Sequence, residues 1–188
     1  MHRDIKPDNI LLHSKDDKIY DVRVADFGFA TLVAKEKLDK VVVCGTPGYI
    51  CPEVLNGGFY SYKSDIFCAG CILFSNLTLQ HFFEGHEYKK IMAANRRCSL
   101  EELDDRMLGW SDEIRDLVRM LMTKDPTKRP SARQALHHRF FEKDRIALDN
   151  SLELNKVLTK QQMEFDTISV HSGNERAKVR QSENFDLV

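Results

Sequence analysis

The segment from Ser64 to Phe74 constrains the fold of this chain more than any other part of it. Ser64 and Asp65 read as the start of a capped helix, and the nine residues that follow, Ile-Phe-Cys-Ala-Gly-Cys-Ile-Leu-Phe, are apolar on nearly every helical face. A helix without a polar face must be buried by its neighbours, so we expect this one at the centre of a helical lobe. The composition, 42% hydrophobic and 30% charged, is typical of a soluble globular protein.

The charge and the apolar pattern exclude several classes of protein. The net charge is −1, and no basic excess indicates binding to nucleic acid or to an anionic membrane. No apolar run approaches the roughly 18 residues of a membrane-spanning helix, and the charged N-terminus does not resemble a signal sequence. A cytoplasmic or nuclear location without membrane attachment is therefore expected.

The cysteines indicate reduced thiols. There are five, an odd number, which favours free thiols over a disulfide framework. Cys68 and Cys71 have the spacing of half a zinc or redox site, but no second pair accompanies them and they lie inside the apolar helix. This position favours packing in a core over metal binding.

Two short polar stretches carry groups suited to phosphate chemistry. In the first, His2 to Asn9, the carboxylate of Asp4 can accept the proton of an attacking hydroxyl and the ammonium of Lys6 can neutralise a phosphate. The amide oxygen of Asn9 can bind a hard cation. The second stretch, Asp26-Phe27-Gly28, begins 17 residues after Asn9 and adds a carboxylate on a turn. Together the stretches predict a site for a metal ion and a phosphate group.

These two stretches and a third, Cys51-Pro52-Glu53, resemble the catalytic and activation segments of a eukaryotic Ser/Thr protein kinase. Three motifs follow one another within about fifty residues: His-Arg-Asp with Lys6 and Asn9, then Asp-Phe-Gly, then Cys-Pro-Glu. The family usually has Ala-Pro-Glu at the third of these positions. Each motif alone is weak evidence, whereas the three in this order are strong. The ending at Phe140-Phe141 is similar to that of the calcium/calmodulin-dependent kinase-like group, and the resemblance covers residues 1–141.

The resemblance implies a role for each group of the site. It makes Asp4 the catalytic base and Lys6 the group that stabilises the transferring phosphate of ATP. It makes Asn9 and Asp26 the ligands of Mg²⁺. Thr46 would bond to Asp4 and Lys6, as in kinases directed to Ser and Thr. The implied activity is transfer of the γ-phosphoryl group of ATP to Ser or Thr hydroxyls of protein substrates.

Four further residues are implied to support the site. Asp65 would accept hydrogen bonds from backbone amides of the catalytic stretch. Arg129, in Arg-Pro-Ser, would form an ion pair with Glu53, and we expect the loss of Glu53 to destabilise the fold if that pair is buried. Arg3 would receive a phosphate carried by the activation loop.

The activation loop departs from the usual pattern of the family. Val42 stands where the usual phosphoacceptor would be, and Thr31 is the only hydroxyl residue between Gly28 and Gly45. Control by phosphorylation at the usual site is therefore not expected. A fixed charge from Glu36 or Asp39 is the alternative.

Local patterns predict the elements around the site. Two strands are expected at Ile10–Leu12 and Ile19–Ala25, joined by a polar turn. Further along the chain, apolar residues at helical spacing after Ser111, a candidate cap, predict one helix. A capping-box signal at Ser131 and Gln134 predicts another. The helices are expected at residues 84–95, 112–122 and 131–138. The predicted fold is mainly α with a short β-hairpin, the C-terminal lobe of the α+β protein kinase-like fold.

The family also has a small lobe before the catalytic stretch, with a glycine-rich phosphate loop and a strand lysine. The sequence contains no candidate for either, so the small lobe is expected to be absent and the chain is expected to be inactive alone. The alternative function is a non-catalytic, protein-binding lobe or a truncated gene product.

The kinase-like domain, residues 1–141, is expected to be followed by a tail at 142–188. A helix is predicted near Leu152 to Phe165, and the polar composition of residues 167–188 predicts disorder. Calmodulin is a conceivable partner because related kinases bind it after the catalytic domain. A calmodulin target should be basic and amphipathic, whereas residues 142–165 carry four basic and five acidic side chains, which gives calmodulin little support.

Overall fold

The computed structural model describes residues 1–16, 19–32 and 42–142. Residues Met1–Phe141 form one compact unit, and a second unit begins at Glu142. The predicted tail helix and the predicted disorder of the tail lie outside the described residues. Within the described part, every helix is too short or too polar to span a membrane.

The described chain is mainly helical, with one two-stranded sheet, which agrees with the predicted fold class. The strands are β1 (Ile10–Asp16) and β2 (Ile19–Val24), and a 3₁₀ turn at Pro7–Asn9 precedes them. The helices are α1 (Pro52–Leu55), α2 (Tyr62–Thr78), α3 (Tyr88–Arg97), α4 (Leu103–Arg106), α5 (Asp112–Leu121) and α6 (Ala132–Ala135), and a second 3₁₀ turn follows at Arg139–Phe141.

The hairpin is longer than its apolar pattern indicates. The strands pair antiparallel with Ile10 opposite Val24, and pairing continues past Leu12 to a bulge between Ser14 and Asp16. The predicted polar turn therefore began too early, because a backbone ladder does not require apolar side chains on a strand. The hairpin connects the first polar stretch directly to the second.

Helix α2 is the buried central helix that the sequence predicts, but it begins earlier. Its cap is Ser61, whose Oγ accepts from the amide of Lys63 at 3.2 Å, while Ser64 Oγ accepts from the amide of Ser61 at 3.0 Å. The predicted cap at Ser64 and Asp65 is wrong by one turn, because a reciprocal Ser-x-x-Ser pair satisfies the first amides. The side chain of Asp65 is thereby free to bond elsewhere.

The core lies where α2 packs against α5. Phe67 and Phe74 of α2 are fully buried, and a Cβ atom on Gly70 would lie only 2.7 Å from Met122 Cγ, so the helices approach closely there. The predicted apolar face of α5 is confirmed, since Ile114, Leu117, Val118 and Leu121 are all buried.

The remaining helices show where pattern alone misplaces boundaries. Helix α3 begins four residues later than predicted, and the capping box of α6 is confirmed although the helix ends at Ala135 and not at His138. Ser111 occupies the N-cap of α5 without a side-chain hydrogen bond to the helix. Helix α1, which starts at a proline, was not predicted.

All five cysteines are free, and four of them are buried. The packed-core interpretation of Cys68 and Cys71 is confirmed, because both lie in the hydrophobic cluster of buried residues. Burial raises the pKa of Cys51 to about 12 and the pKa of Cys98 to about 11. These thiols therefore stay protonated at neutral pH.

We expect only one thiol of the folded chain to react readily with an alkylating reagent at pH 8. Cys44 is half-buried whereas the other four cysteines are buried, and protonated, buried thiols react slower by on the order of 10²-fold or more. Mass spectrometry after timed alkylation should show one fast site, and Cys44→Ser should remove it. Five fast sites in the folded protein would contradict this burial, whereas five in urea are expected.

Candidate active site

Asp4 is the centre of the candidate site and is almost completely buried, with 5% of its surface exposed. Its Oδ1 accepts a hydrogen bond from Thr46 Oγ1 at 2.7 Å, and its Oδ2 lies 3.2 Å from Lys6 Nζ. Lys6 Nζ in turn donates to Thr46 Oγ1 at 3.0 Å. A carboxylate and an ammonium from one short segment and a hydroxyl about forty residues later therefore form one triangle of two hydrogen bonds and an ion pair.

The backbone before Asp4 is held by α2. Asp65 Oδ2 accepts from the amide of His2 at 2.8 Å, and Asp65 Oδ1 accepts from the amide of Arg3 at 2.9 Å. Arg3 has a φ of +73°, a conformation that non-glycine residues rarely adopt. Two charge-assisted hydrogen bonds from a buried helix fix this unfavourable backbone, and they explain why Asp65 does not cap its own helix.

Asn9 lies beside Asp4 and is also buried. Its Nδ2 donates to the backbone oxygen of Asp4 at 2.9 Å and approaches Asp4 Oδ2 at 3.4 Å. Both contacts use the amide nitrogen, so the side-chain oxygen is the atom suited to a cation. The backbone oxygen of Asn9 accepts from the amide of Ala25 at 2.9 Å, which brings the second polar stretch next to the first.

Asp26 follows Ala25 and is exposed, with a φ of +60°. Its Oδ1 accepts from the amide of Gly28 at 3.2 Å, which makes the turn that was predicted for this motif. The donor set of Asn9 and Asp26, one amide oxygen and one carboxylate, fits Mg²⁺, which takes few protein oxygens and completes its shell with water and phosphate. Among the described residues, no three or more histidine, cysteine, aspartate or glutamate side chains are grouped so that they could hold a metal ion.

His2 links the two stretches, a role that the sequence did not indicate although His2 belongs to the His-Arg-Asp motif. Its Nε2 lies 3.0 Å from the backbone oxygen of Ala25, and the amide of Asp4 donates to its Nδ1 at 3.3 Å. Its ring also packs edge-on against Phe27, with 4.9 Å between ring centroids. Its position immediately before Arg3 and Asp4 was the only available signal.

Arg3, the implied phosphate receptor, has partners within the described chain. Its Nε donates to the backbone oxygen of Phe29 at 2.6 Å, and its guanidinium lies 5.5 Å from the ring centre of Tyr60. The amide of Thr31 donates to the backbone oxygen of Met1 at 3.0 Å, so the start of the loop is tied to the catalytic stretch. Glu36 and Asp39, the suggested fixed charges, lie outside the described residues.

Tyr60 holds the loop that carries Thr46. Its hydroxyl donates to the backbone oxygen of Cys44 at 2.6 Å and accepts from the amide of Cys44 at 2.9 Å. Burial raises the pKa of this phenol well above its usual range, so it remains a donor at any physiological pH. Nothing in the sequence spacing indicated this contact.

Gly45 separates this anchor from Thr46 and cannot be replaced without strain. Its φ is +102°, and a Cβ atom built on it would lie 2.8 Å from the backbone oxygen of Arg3. A glycine is required because the loop passes directly against the catalytic backbone.

We expect Gly45→Ala to lower the free energy of unfolding. The positive φ and the clash with Arg3 would together cost about 2–3 kcal/mol and displace Thr46 from Asp4. Gly57→Ala is the matched control, because Gly57 also has a positive φ, +81°, but a Cβ atom added to it would have no neighbour within 4 Å. Urea unfolding should show a larger loss for Gly45→Ala, and equal losses would show that close approach to Arg3 is unimportant.

Glu53 and Arg129 form the ion pair that the resemblance implies, and the pair is buried. Arg129 Nη1 lies 2.8 Å from Glu53 Oε1 and Nη2 lies 2.9 Å from Oε2, and the side chains of Arg129 and Glu53 are 0% and 9% exposed. Arg129 also donates to the backbone oxygens of Thr123 and Lys63, and its guanidinium lies 5.0 Å from the ring centre of Phe67. The pair therefore ties the segment after the loop to the central helix.

Comparisons with known proteins find relatives over about three quarters of the chain. A family model described as a protein kinase domain matches residues 1–141. The chain is 33% identical over 75% of its length to a probable serine/threonine-protein kinase 2 of Plasmodium falciparum, covering 27% of that protein. It is 39% identical over 76% of its length to the phosphorylase b kinase gamma catalytic chain, liver/testis isoform, of Bos taurus, covering 36% of it.

A further relative is the serine/threonine-protein kinase Nek6 of Oryza sativa, at 34% identity over 76% of this chain and 25% of that protein. The chain thus spans between 25% and 36% of the length of these three relatives.

Proposed function

Because this chain belongs to the protein kinase domain family, we propose that it provides the catalytic lobe of a serine/threonine kinase. The reaction is transfer of the γ-phosphoryl group of ATP to Ser or Thr hydroxyls of protein substrates. The observation that carries this proposal is the triangle of Asp4, Lys6 and Thr46. The similarity to proteins named as serine/threonine kinases supports the same class of acceptor.

Asp4 is the base of the proposed reaction. Its carboxylate is buried and held through both oxygens, so it can meet an acceptor hydroxyl in a fixed orientation and accept its proton. Thr46 donates to Oδ1 of Asp4, and Lys6 lies beside Oδ2. In the proposed reaction the transferring phosphate lies on the side of Lys6. Lys6 then stabilises negative charge that develops on that phosphate.

Asn9 and Asp26 are the proposed metal ligands. Asn9 offers its side-chain oxygen because its nitrogen is bonded to Asp4, and Asp26 offers an exposed carboxylate one residue after the Ala25 contact. When bound, Mg²⁺ neutralises charge on the β- and γ-phosphates of ATP. The short link between Asn9 and Ala25 keeps both ligands in register with Asp4.

We further propose that residues 1–141 act as the kinase domain, that residues 142–188 form a tail, and that the nucleotide site is completed from outside these 188 residues. The sequence has no glycine-rich loop or strand lysine of the kinase type. Apolar side chains of the hairpin and the turn after it, including Leu12 at 65% exposure and Phe27 at 64%, suit a face covered by further polypeptide. A nucleotide site that lacks its phosphate loop and strand lysine cannot hold ATP in line with an acceptor hydroxyl. The 188-residue chain alone is therefore expected to be inactive.

The test is magnesium-dependent transfer of labelled phosphate from ATP to a Ser/Thr peptide library. Residues 1–141 are grafted in place of the matching segment of the bovine phosphorylase b kinase gamma catalytic chain, of which this chain covers 36%. We expect transfer by the graft and none by the 188-residue chain alone. A folded graft without transfer would favour the non-catalytic, protein-binding alternative.

A further inference from the structure

The loop from Gly45 to Ile50 needs fixed points to keep one shape. Gly45 and Gly48 both have positive φ, +102° and +90°, so two of its six residues have the wide conformational freedom of glycine. The amide of Tyr49 donates to the backbone oxygen of Thr46 at 3.0 Å, which closes one turn within the loop. That single bond cannot define where the turn sits relative to Asp4.

One end of the loop is anchored at the catalytic centre. Thr46 Oγ1 is bonded to Asp4 and Lys6, as described above. This end contains the side chain that faces the reacting groups. Its position depends on Tyr60, which holds Cys44, and on the bonds that hold the other end of the loop.

The other end is held by two bonds from Asn95 of α3 and by one bond from Cys68 of α2, whose Sγ donates to the backbone oxygen of Tyr49 at 3.1 Å. Asn95 is 0% exposed, its Oδ1 accepts from the amide of Gly48 at 2.8 Å, and its Nδ2 donates to the backbone oxygen of Ile50 at 3.0 Å. Gly48 and Ile50 are themselves buried, so water cannot readily replace either bond. A buried amide that satisfies one backbone donor and one backbone acceptor two residues apart fixes both the place and the direction of the loop.

We propose that Asn95 is a positioning residue for the loop that receives the acceptor segment of the protein substrate. It acts through Gly48 and Ile50 and does not touch the reacting groups. The inference rests on the proposed function, because it assigns the loop to the acceptor peptide of that reaction. It adds a link from α3 to Thr46: Asn95 holds the turn, and the turn presents Thr46 to Asp4.

The experiment measures binding of a fluorescein-labelled serine peptide, selected from a library on the unmodified 188-residue chain, by fluorescence anisotropy without ATP. We expect Asn95→Ala to weaken peptide binding about tenfold, the factor that corresponds to about 1.4 kcal/mol. Hydrogen exchange of the Gly48 amide should accelerate in the same variant. Asn95→Asp keeps an acceptor for Gly48 and loses the donor to Ile50. Its affinity for the peptide should therefore fall between that of the unmodified chain and that of Asn95→Ala. It is the second variant to use if Asn95→Ala does not fold.

Two controls separate positioning from general stability. Asn56→Ala removes an asparagine that also makes two backbone contacts, to Pro52 at 2.8 Å and Arg96 at 3.3 Å, but none to the loop. Leu103→Ala truncates a fully buried core residue away from the loop. Both should bind peptide within twofold of the unmodified chain at a temperature where all variants are folded.

The outcomes are distinct. Peptide binding that is unchanged in both Asn95 variants, or lost equally in Leu103→Ala, would overturn the role of Asn95 and leave the proposed function intact. An unmodified chain that binds no peptide of the library would overturn the acceptor half of the proposed function, and the inference with it.

Discussion

Asp4→Asn lowers phosphate transfer by the grafted domain about 10³-fold, which is the largest effect expected of any single change in this chain. The substitution keeps the shape of the side chain and a hydrogen-bond acceptor for Thr46. It removes the negative charge that faces Lys6 at 3.2 Å and the group that can accept a proton from the substrate hydroxyl. The measurement is the initial rate of labelled phosphate transfer to the Ser/Thr peptide library at saturating ATP and Mg²⁺.

The matched control for this prediction is Asp105→Asn, the same chemical change at an exposed carboxylate of α4. Its rate should equal that of the unmodified graft. Urea unfolding of the Asp4 variant should show that the domain remains folded under assay conditions. If Asp4→Asn retained more than about a tenth of the activity, the assignment of Asp4 as the base would be wrong, since general-base catalysis contributes at least about 10²-fold.

Much of the candidate site could be predicted because its groups are close in sequence. Asp4, Lys6 and Asn9 lie within six residues, and a single tight segment can bring them together without knowledge of the fold. The pairing of Asn9 with the residue before Asp26 follows from a hairpin whose strands have recognisable patterns. Local chemistry and local structure agree here, which is why short motifs were informative.

Contacts over long sequence separation were predictable only through resemblance. Thr46 lies 42 residues from Asp4 and Arg129 lies 76 residues from Glu53, and no periodicity relates such positions. Asn95 was not predicted at all, because a polar residue near the end of an amphipathic helix gives no sign that it is buried against a loop 47 residues earlier. Such contacts depend on how α1, α3 and the loop pack, which is tertiary information.

The predicted boundaries of α2 and β1 were wrong for reasons that lie in the local sequence. The start of α2 was misplaced because Ser61 and Ser64 form a reciprocal cap, whereas the prediction relied on the more familiar acidic residue at position 65. Asp65 was available for the catalytic backbone because the cap did not need it. Strand β1 was cut short because its polar residues resembled a turn, although the backbone ladder continues through them.

Glu53→Ala should destabilise the domain by about 3–5 kcal/mol, a large share of the ~5–15 kcal/mol that holds a typical domain folded. The variant leaves the guanidinium of Arg129, 0% exposed, without its carboxylate partner. Three backbone oxygens still bond to Arg129, but they carry no full charge to balance it. The free energy of unfolding from urea titration at pH 7 measures the loss.

The control is Asp104→Ala, which removes an ion pair with Arg119 at 2.6 Å between side chains that are 56% and 41% exposed. That change should cost about 0–1 kcal/mol. The double variant Glu53→Leu with Arg129→Met should recover part of the stability, because it removes both buried charges. Equal losses of unfolding free energy for Glu53→Ala and Asp104→Ala would show that the buried ion pair stabilises the fold no more than the exposed one.

The pH dependence of stability provides an independent check on the same pair. Burial alone would raise the pKa of Glu53, but the hydrogen bonds and the positive charge of Arg129 outweigh it and hold the pKa below its usual range. The unfolded chain therefore binds this proton at a higher pH than the folded chain does. The contribution of Glu53 is complete above its ordinary pKa of about 4.3 and is lost as the pH falls through the folded value. Glu53→Gln has no titratable proton at this position. The difference in unfolding free energy between this variant and the unmodified chain should therefore shrink on going from pH 7 to pH 3. A constant difference would show that the carboxylate is not held charged by Arg129.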